Sequence, residues 1–146
     1  MTSPVNVVLG TDVSTTLTTA VIAELRGRGH DVRLVGAAAG GAEEWAEVGH
    51  LVGRAVANGA AESGVLFCWT GTGASIAANK VPGVRAALCT DAVTAAGARR
   101  WNDANVLVMS LRLTSIEVAR EMLDAWFDTA VDPGEAANIA RVERPS

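Results

Sequence analysis

The sequence predicts an α/β domain in which helices cover both faces of a parallel sheet. Short apolar runs alternate with helix-length amphipathic segments, the pattern of successive strand–helix–strand units. Hydrophobic residues make up 49% of the 146, and 15 are Gly, a composition suited to close helix-on-sheet packing. That length accommodates one buried core, so residues 1–146 are expected to form a single domain. No repeat and no linker-like stretch divides them.

Val5–Leu9 reads as the first strand, ending at Gly10, Thr11 and Asp12. Ser14 or Thr15 can cap a helix running to about Arg28, which Gly29 ends. Asp31–Val35 is a second strand, and Gly36–Gly41 a loop. Glu43–Asn58 is a helix presenting Trp45, Val48, Leu51, Val52 and Val56. Val65–Cys68 is a central strand, followed by the turn Trp69–Gly73 and a short helix, Ala74–Asn79. Pro82 and Gly83 turn the chain into the strand Val84–Cys89, after which Asp91 can cap a helix ending near Asn102. Val106–Met109 is a fifth strand. Ser115 caps a helix with Ile116, Ala119, Met122, Leu123, Trp126 and Phe127 along one stripe. Pro133 and Gly134 precede a last helix, Glu135–Val142.

Composition narrows the function classes. A net charge of −4 with no basic block lacks the footprint of a nucleic-acid binder. No apolar run approaches the roughly 20 residues needed to span a bilayer. Met1–Asn6 carries no positive charge ahead of an apolar stretch, so no signal peptide is expected. Cys68 and Cys89 fall at buried strand ends and are expected to be free thiols in a cytoplasmic protein. Two His, neither near a Cys, give no zinc pattern. The class expected is a soluble, cytoplasmic domain without metal or cofactor.

In open α/β sheets ligands bind beyond the carboxyl ends of the strands. Those ends supply Asp12, Cys68–Gly73, Thr90, Asp91 and Ser110–Arg112. The most informative stretch is Cys68-Trp69-Thr70-Gly71-Thr72-Gly73-Ala74-Ser75, a strand entering a Gly-containing loop and a helix start. Backbone N–H groups at such a helix start can hold an anion or a developing enolate oxygen. A thiol placed there is favoured as thiolate, a base or nucleophile. Equally, Cys68 reads as a small buried hydrophobe above a plain turn. The stretch lacks the Lys of a phosphate-binding P-loop and the full dinucleotide fingerprint. Asp12 can orient a substrate hydroxyl or serve as a turn residue or helix cap. Arg112 can hold an oxyanion or the Asp12 carboxylate, or form a surface ion pair. Trp69 and Trp101 can wall a ligand or belong to the core or an interface. Asn79 closes the short helix. His30 and His50 are expected at the surface, with no catalytic role.

Three stretches together resemble the ribose-5-phosphate isomerase B and galactose-6-phosphate isomerase family. Gly64–Cys68 leads into GTGASIAANKVPGVRAALCTD (Gly71–Asp91), similar to the family's Cys-Gly-Thr-Gly-x-Gly loop, Ser-Ile-Ala-Ala-Asn-Lys and Gly-(Ile/Val)-Arg-Ala. Arg99–Leu107 resembles Arg-x-His-Asn-x-x-Asn-Val-Leu, and Arg112 with Glu117–Trp126 matches the helix that follows. Gly10-Thr11-Asp12 is similar to Gly-(Ser/Cys/Ala)-Asp-His. The likeness covers most of the chain.

The resemblance implies a Rossmann-like three-layer α/β/α sandwich with a five-stranded parallel sheet. It implies a homodimer or tetramer with active sites shared between subunits, and metal-free isomerisation of aldose and ketose phosphates through a cis-enediol. Carried over by position, Cys68 moves the proton between C1 and C2. Thr70 and the backbone of Gly71, Thr72 and Gly73, with Ser75 beside them, hold the enediolate. Asp12 orients sugar hydroxyls, Asn102 contacts substrate from the neighbouring subunit, and Arg141 matches a C-terminal phosphate-binding arginine. Arg112, Trp69 and Trp101 complete the expected substrate contacts.

The departures are specific. Val13 stands where the family has His after the first Asp, and Trp101 where it has the ring-opening His. Trp69 replaces the Gly after the catalytic Cys, and Glu44-Trp45-Ala46 replaces Asp-Tyr-Pro. Ala137 and Asn138 replace an arginine and a histidine near the C-terminus. Three functions follow: a ribose 5-phosphate/ribulose 5-phosphate isomerase, a same-mechanism isomerase of a different open-chain or unphosphorylated substrate, or a non-catalytic sugar-phosphate-binding homologue.

Overall fold

The computed structural model describes residues 3–145. Strands β1 (Asn6–Thr11), β2 (Asp31–Gly36), β3 (Ser63–Cys68), β4 (Ala86–Leu88) and β5 (Val106–Ser110) form one sheet in the order β2-β1-β3-β5-β4. All four pairings are parallel. Helices α1 (Thr16–Gly27), α2 (Trp45–Ala57), α3 (Thr72–Asn79), α4 (Ala92–Asn102), α5 (Ile116–Asp128) and α6 (Ala136–Glu143) connect and cover it.

The period-2 alternation of side chains divides the core into two layers. Val65 and Phe67 of β3 pack with Leu17, Val21, Ala95, Met122 and Leu123, beneath α1, α4 and α5. Leu66 and Cys68 face the other way and pack with Val48, Val52, Ala74 and Ala78, beneath α2 and α3. The result is the expected three-layer sandwich with five parallel strands. No helix among the described residues is long and apolar enough to cross a membrane.

Three helix starts fall where the sequence puts them. Thr15 and Thr18 form a reciprocal capping box, each hydroxyl accepting the other's backbone N–H at 3.2 and 2.9 Å. Asp91 accepts from the Thr94 N–H and Ser115 from the Val118 N–H. Several boundaries differ, for local reasons. β1 runs on to Thr11 because Gly10 and Thr11 stay in register with both β2 and β3. The Gly36–Gly41 loop holds a 3-10 turn, Ala37–Ala39. β4 starts at Ala86, not Val84, because the Val84 N–H bonds to the Val81 carbonyl and the Arg85 N–H to Asn105 Oδ1. On the free side of β4, the Asn79 carboxamide pairs with both backbone groups of Ala86, at 3.0 and 2.8 Å. Asn79 therefore ties α3 to the sheet edge, a structural role.

α2 begins at Trp45, and its buried face shares only Val48 and Val52 fully with the predicted one. Val48, Gly49, Val52, Gly53 and Ala55 face inward, while Leu51 and Val56 are only half-buried and Trp45 is exposed. The small residues are needed because α3 lies close. A Cβ on Gly49 would sit 2.8 Å from the Ala77 Cβ and 3.0 Å from the Ala74 carbonyl oxygen.

His30 corrects the surface expectation. It is 5% exposed, stacks on Phe127 with ring centroids 4.3 Å apart, and accepts the Val5 N–H at Nδ1. His50 is half-buried on α2.

Candidate active site

The strand order reverses between β1 and β3: the chain leaves β1 for β2 on one side, and β3 lies on the other. A crevice opens beyond the carboxyl ends of the strands at such a switch point. Asp12 directly follows β1 and Cys68 ends β3, the two strands that flank it. Cys68 is 5% exposed and belongs to the layer beneath α2 and α3, on the same side of the sheet as the helix that its loop enters.

The turn after Cys68 is clamped to the end of β5. The Cys68 carbonyl accepts the Leu111 N–H, and the Trp69 carbonyl accepts the Arg112 N–H, both at 3.0 Å. Ser110 adds its hydroxyl to the Trp69 carbonyl at 3.0 Å and accepts the Leu113 N–H at 3.2 Å. Arg112 thus serves this loop through its backbone; its side chain is exposed and forms no ion pair with Asp12. Trp69 stands out from the turn at 64% exposure.

Thr70 and Thr72 share a hydroxyl hydrogen bond of 2.8 Å, and Thr70 Oγ1 accepts the Thr72 N–H at 3.4 Å. Gly71 between them has φ +84°, and a Cβ there would meet Leu88 Cδ1 at 2.5 Å, so neither conformation nor space admits a side chain. As the N-cap of α3, Gly71 offers no side chain to the helix's first N–H groups. Thr70 Oγ1 takes the Thr72 N–H, and the Gly73 and Ala74 N–H groups have no partner among the described residues at this end of the helix, as an anion or oxyanion site requires. Ser75 already donates its N–H to the Gly71 carbonyl at 3.1 Å, so its backbone belongs to the helix and only its half-buried side chain is left for a ligand.

Asp12 is not the cap of α1, a role that Thr15 fills. Its Oδ1 is buried and has no hydrogen-bond partner within the chain. A buried carboxylate oxygen left unpaired is costly unless something else donates to it. A substrate hydroxyl would.

Trp45 is the residue that sequence reasoning missed as part of the site. Its indole lies on the backbone of Gly73, where an added Cβ would come within 2.8 Å of two ring carbons. It walls one side of the α3 start. The available signal was its place at the first turn of α2, which begins at the same sheet edge. Ser110, expected at this edge but given no role, is the last residue of β5 and braces the loop.

Asn102, Trp101 and Arg141 lie elsewhere. α4 starts at the carboxyl edge with Asp91 and runs back 11 residues, roughly 16 Å, to the opposite edge. Trp101 and Asn102 end there. The Trp101 ring rests against Gly97 and beside the Arg100 guanidinium. Asn102 borders a groove of about 580 Å³, shared with Arg85, Val142 and Glu143 near the N-terminal ends of β4 and β5. Arg141, exposed on the last turn of α6, belongs to this end also. Trp69 and Trp101 therefore form no common wall within one chain. The predicted residues divide into two groups, with Asp12, Cys68–Ser75 and Arg112 at one edge and Trp101, Asn102 and Arg141 at the other.

Cys89 is buried in the opposite layer, beneath α1, α4 and α5. Desolvation, with the Asp91 carboxylate nearby, pushes the Cys89 thiol up to about 11. Among the described residues no group of three His, Cys, Asp or Glu side chains converges as a metal site would.

The family model for Ribose/Galactose Isomerase matches residues 7–144. The chain belongs to that family. Ribose-5-phosphate isomerase B of Escherichia coli K12 is 36% identical over 114 residues, 78% of this chain and 76% of that one. The D-erythrulose-4-phosphate isomerase of Pectobacterium atrosepticum is 38% identical over 91 residues, 62% of this chain and 60% of its own. Among solved structures, the type B ribose 5-phosphate isomerase of Trypanosoma brucei superposes with a TM-score of 0.89 at 32% identity. That match covers 99% of this chain and 100% of the other. The family and its five-stranded parallel α/β fold thus agree with the expectations drawn from the sequence.

Proposed function

We propose that this protein is an aldose–ketose isomerase of sugar phosphates that uses Cys68 to move a proton through an enediolate. The observation that carries the reading is the juxtaposition at the switch point: a thiol ending β3, an uncapped helix start following it, and an unpaired Asp12 oxygen at the end of β1. Cys68 as thiolate takes the proton from C2 of an open-chain aldose and returns it to C1. The developing oxyanion is held by Thr70 and the backbone N–H groups of the Gly71–Gly73 turn, and Asp12 accepts from sugar hydroxyls. The site is complete only in a homodimer or larger assembly, in which Asn102 and Arg141 of a second copy reach the thiol loop of the first. Their position at the opposite edge of the chain supports this reading. Arg141 then binds the phosphate.

Replacing Cys68 by Ala should abolish substrate-dependent exchange of the substrate's carbon-bound hydrogen with solvent while leaving the fold intact. Exchange at the wild-type rate would refute the assignment of the base.

A short open-chain substrate, such as a tetrulose phosphate, is favoured over ribose 5-phosphate by one feature of this chain. Positions 13 and 101, where the family resemblance puts imidazoles, hold Val and Trp, so no ring-opening acid stands at either. A tetrose with its terminal hydroxyl phosphorylated closes no furanose ring and needs none. The similarity to a D-erythrulose-4-phosphate isomerase accords with this. Turnover of ribose 5-phosphate matching or exceeding that of erythrulose 4-phosphate would overturn the preference.

A further inference from the structure

We propose that Arg85 is a positioning residue, its guanidinium holding the end of α4 and the end of α6 as one unit, so that Asn102 and Arg141 reach a second copy's thiol loop together. The proposal rests on the composite site described above. Arg85 lies in the turn entering β4, with its side chain 17% exposed. It meets two elements at once. Nε donates to the Asp103 carbonyl at 2.9 Å, and one terminal nitrogen meets the Asp103 carboxylate at 3.3 Å. The other terminal nitrogen meets the Glu143 carboxylate at 2.6 Å.

Asp103 directly follows Asn102 and ends α4 as its C-cap in the left-handed conformation, φ +45°. Arg99 supplies a second hold, bonding the Asp103 carboxylate at 3.0 Å and the Ala104 carbonyl at 2.6 Å. The exit of α4, and with it Asn102, is therefore fixed by two guanidinium groups. At the other contact, Glu143 also accepts the Gly83 N–H at 3.2 Å. α6 is eight residues long and buries none of them. A helix that short is not stable by propensity, and here packing does little to fix it. The Glu143 latch sets its direction, and Arg141 sits on the same final turn. A planar fork that binds two carboxylates and a carbonyl in fixed directions is a property of Arg that Lys does not share.

An ion pair that merely added stability would change melting temperature and leave kinetics alone. A positioning latch predicts the reverse for the mildest variant. Glu143→Gln, at the end of an exposed helix, should keep the oligomeric state and melting temperature. It should raise KM for the sugar phosphate about tenfold, with kcat within about twofold. Arg85→Lys should raise KM and also lower kcat, since Asn102 is displaced too. The assays use ribose 5-phosphate and erythrulose 4-phosphate on the intact assembly. The decisive measurement is the double variant: in an Arg141→Ala background, Glu143→Gln should add no further loss. A raised KM in Arg141→Ala on which Glu143→Gln adds its full effect overturns the latch alone. An unchanged KM in Arg141→Ala overturns the phosphate assignment itself, and the latch with it.

Discussion

His30 and Cys89 are the two side chains whose titration the fold changes most plainly away from the active site. Burial, with the Arg28 guanidinium second, holds the His30 pKa below its ordinary 6.5. Its Nδ1 accepts the Val5 N–H and its Nε2 is buried without a partner, so the folded chain favours the neutral ring. The unfolded chain therefore binds more protons between the depressed pKa and 6.5. Stability contributed by this group is present above pH 6.5 and is lost as the pH falls through that window. Denaturant titrations between pH 7.5 and 5 should show this decline, and His30→Gln should flatten it. A slope unchanged by the substitution would place its source elsewhere. His30 was misplaced from sequence because a lone His after a Gly turn carries no sign of burial. The Phe127 ring that covers it comes from a helix far along the chain. Cys68 was legible for the opposite reason, since strand, thiol, loop and helix start are contiguous.

At the scale of elements, helix starts and strand cores were readable because caps and alternation are local. The start of β4 and the buried face of α2, which differ, are set by partners remote in sequence: Asn105 takes the Arg85 N–H, and α3 leaves no room for large residues on α2. Gly49 is the sharpest case. Gly49→Ala should force α2 and α3 apart and cost about 1–3 kcal/mol in denaturant unfolding. It should also lower kcat/KM, although Gly49 does not touch the thiol loop, because α3 carries the Gly71–Gly73 turn at its start. Removing the opposing methyl with Ala77→Gly should recover part of both losses. If activity stays at the wild-type level while stability drops, the Gly71–Gly73 turn does not depend on the α2–α3 spacing. Trp45 is positioned by the same pair of helices, so its lodging over Gly73 could not be read from either segment alone.

For the whole molecule, the predicted residues divide between two sheet edges, as the shared site implied by the family resemblance would need. Sequence motifs give residues without places, and Trp69 and Trp101 looked like one wall until α4 was seen to carry Trp101 to the far edge. The division makes a direct prediction. Cys68→Ala and Asn102→Ala should each be inactive alone, yet unfolding and refolding them together should restore about a quarter of the wild-type activity, as random pairing in a twofold assembly requires. Complete inactivity of the mixture would mean that each chain builds its site from its own residues. A site shared between subunits, as proposed above, would also change how such a protein can diverge. After a gene duplication, one sister chain would be free to lose its thiol and the other its Arg141-bearing tail, and the pair would stay competent as long as they assemble. Each half-site can then drift toward a new sugar on its own, with the partner as its safety copy.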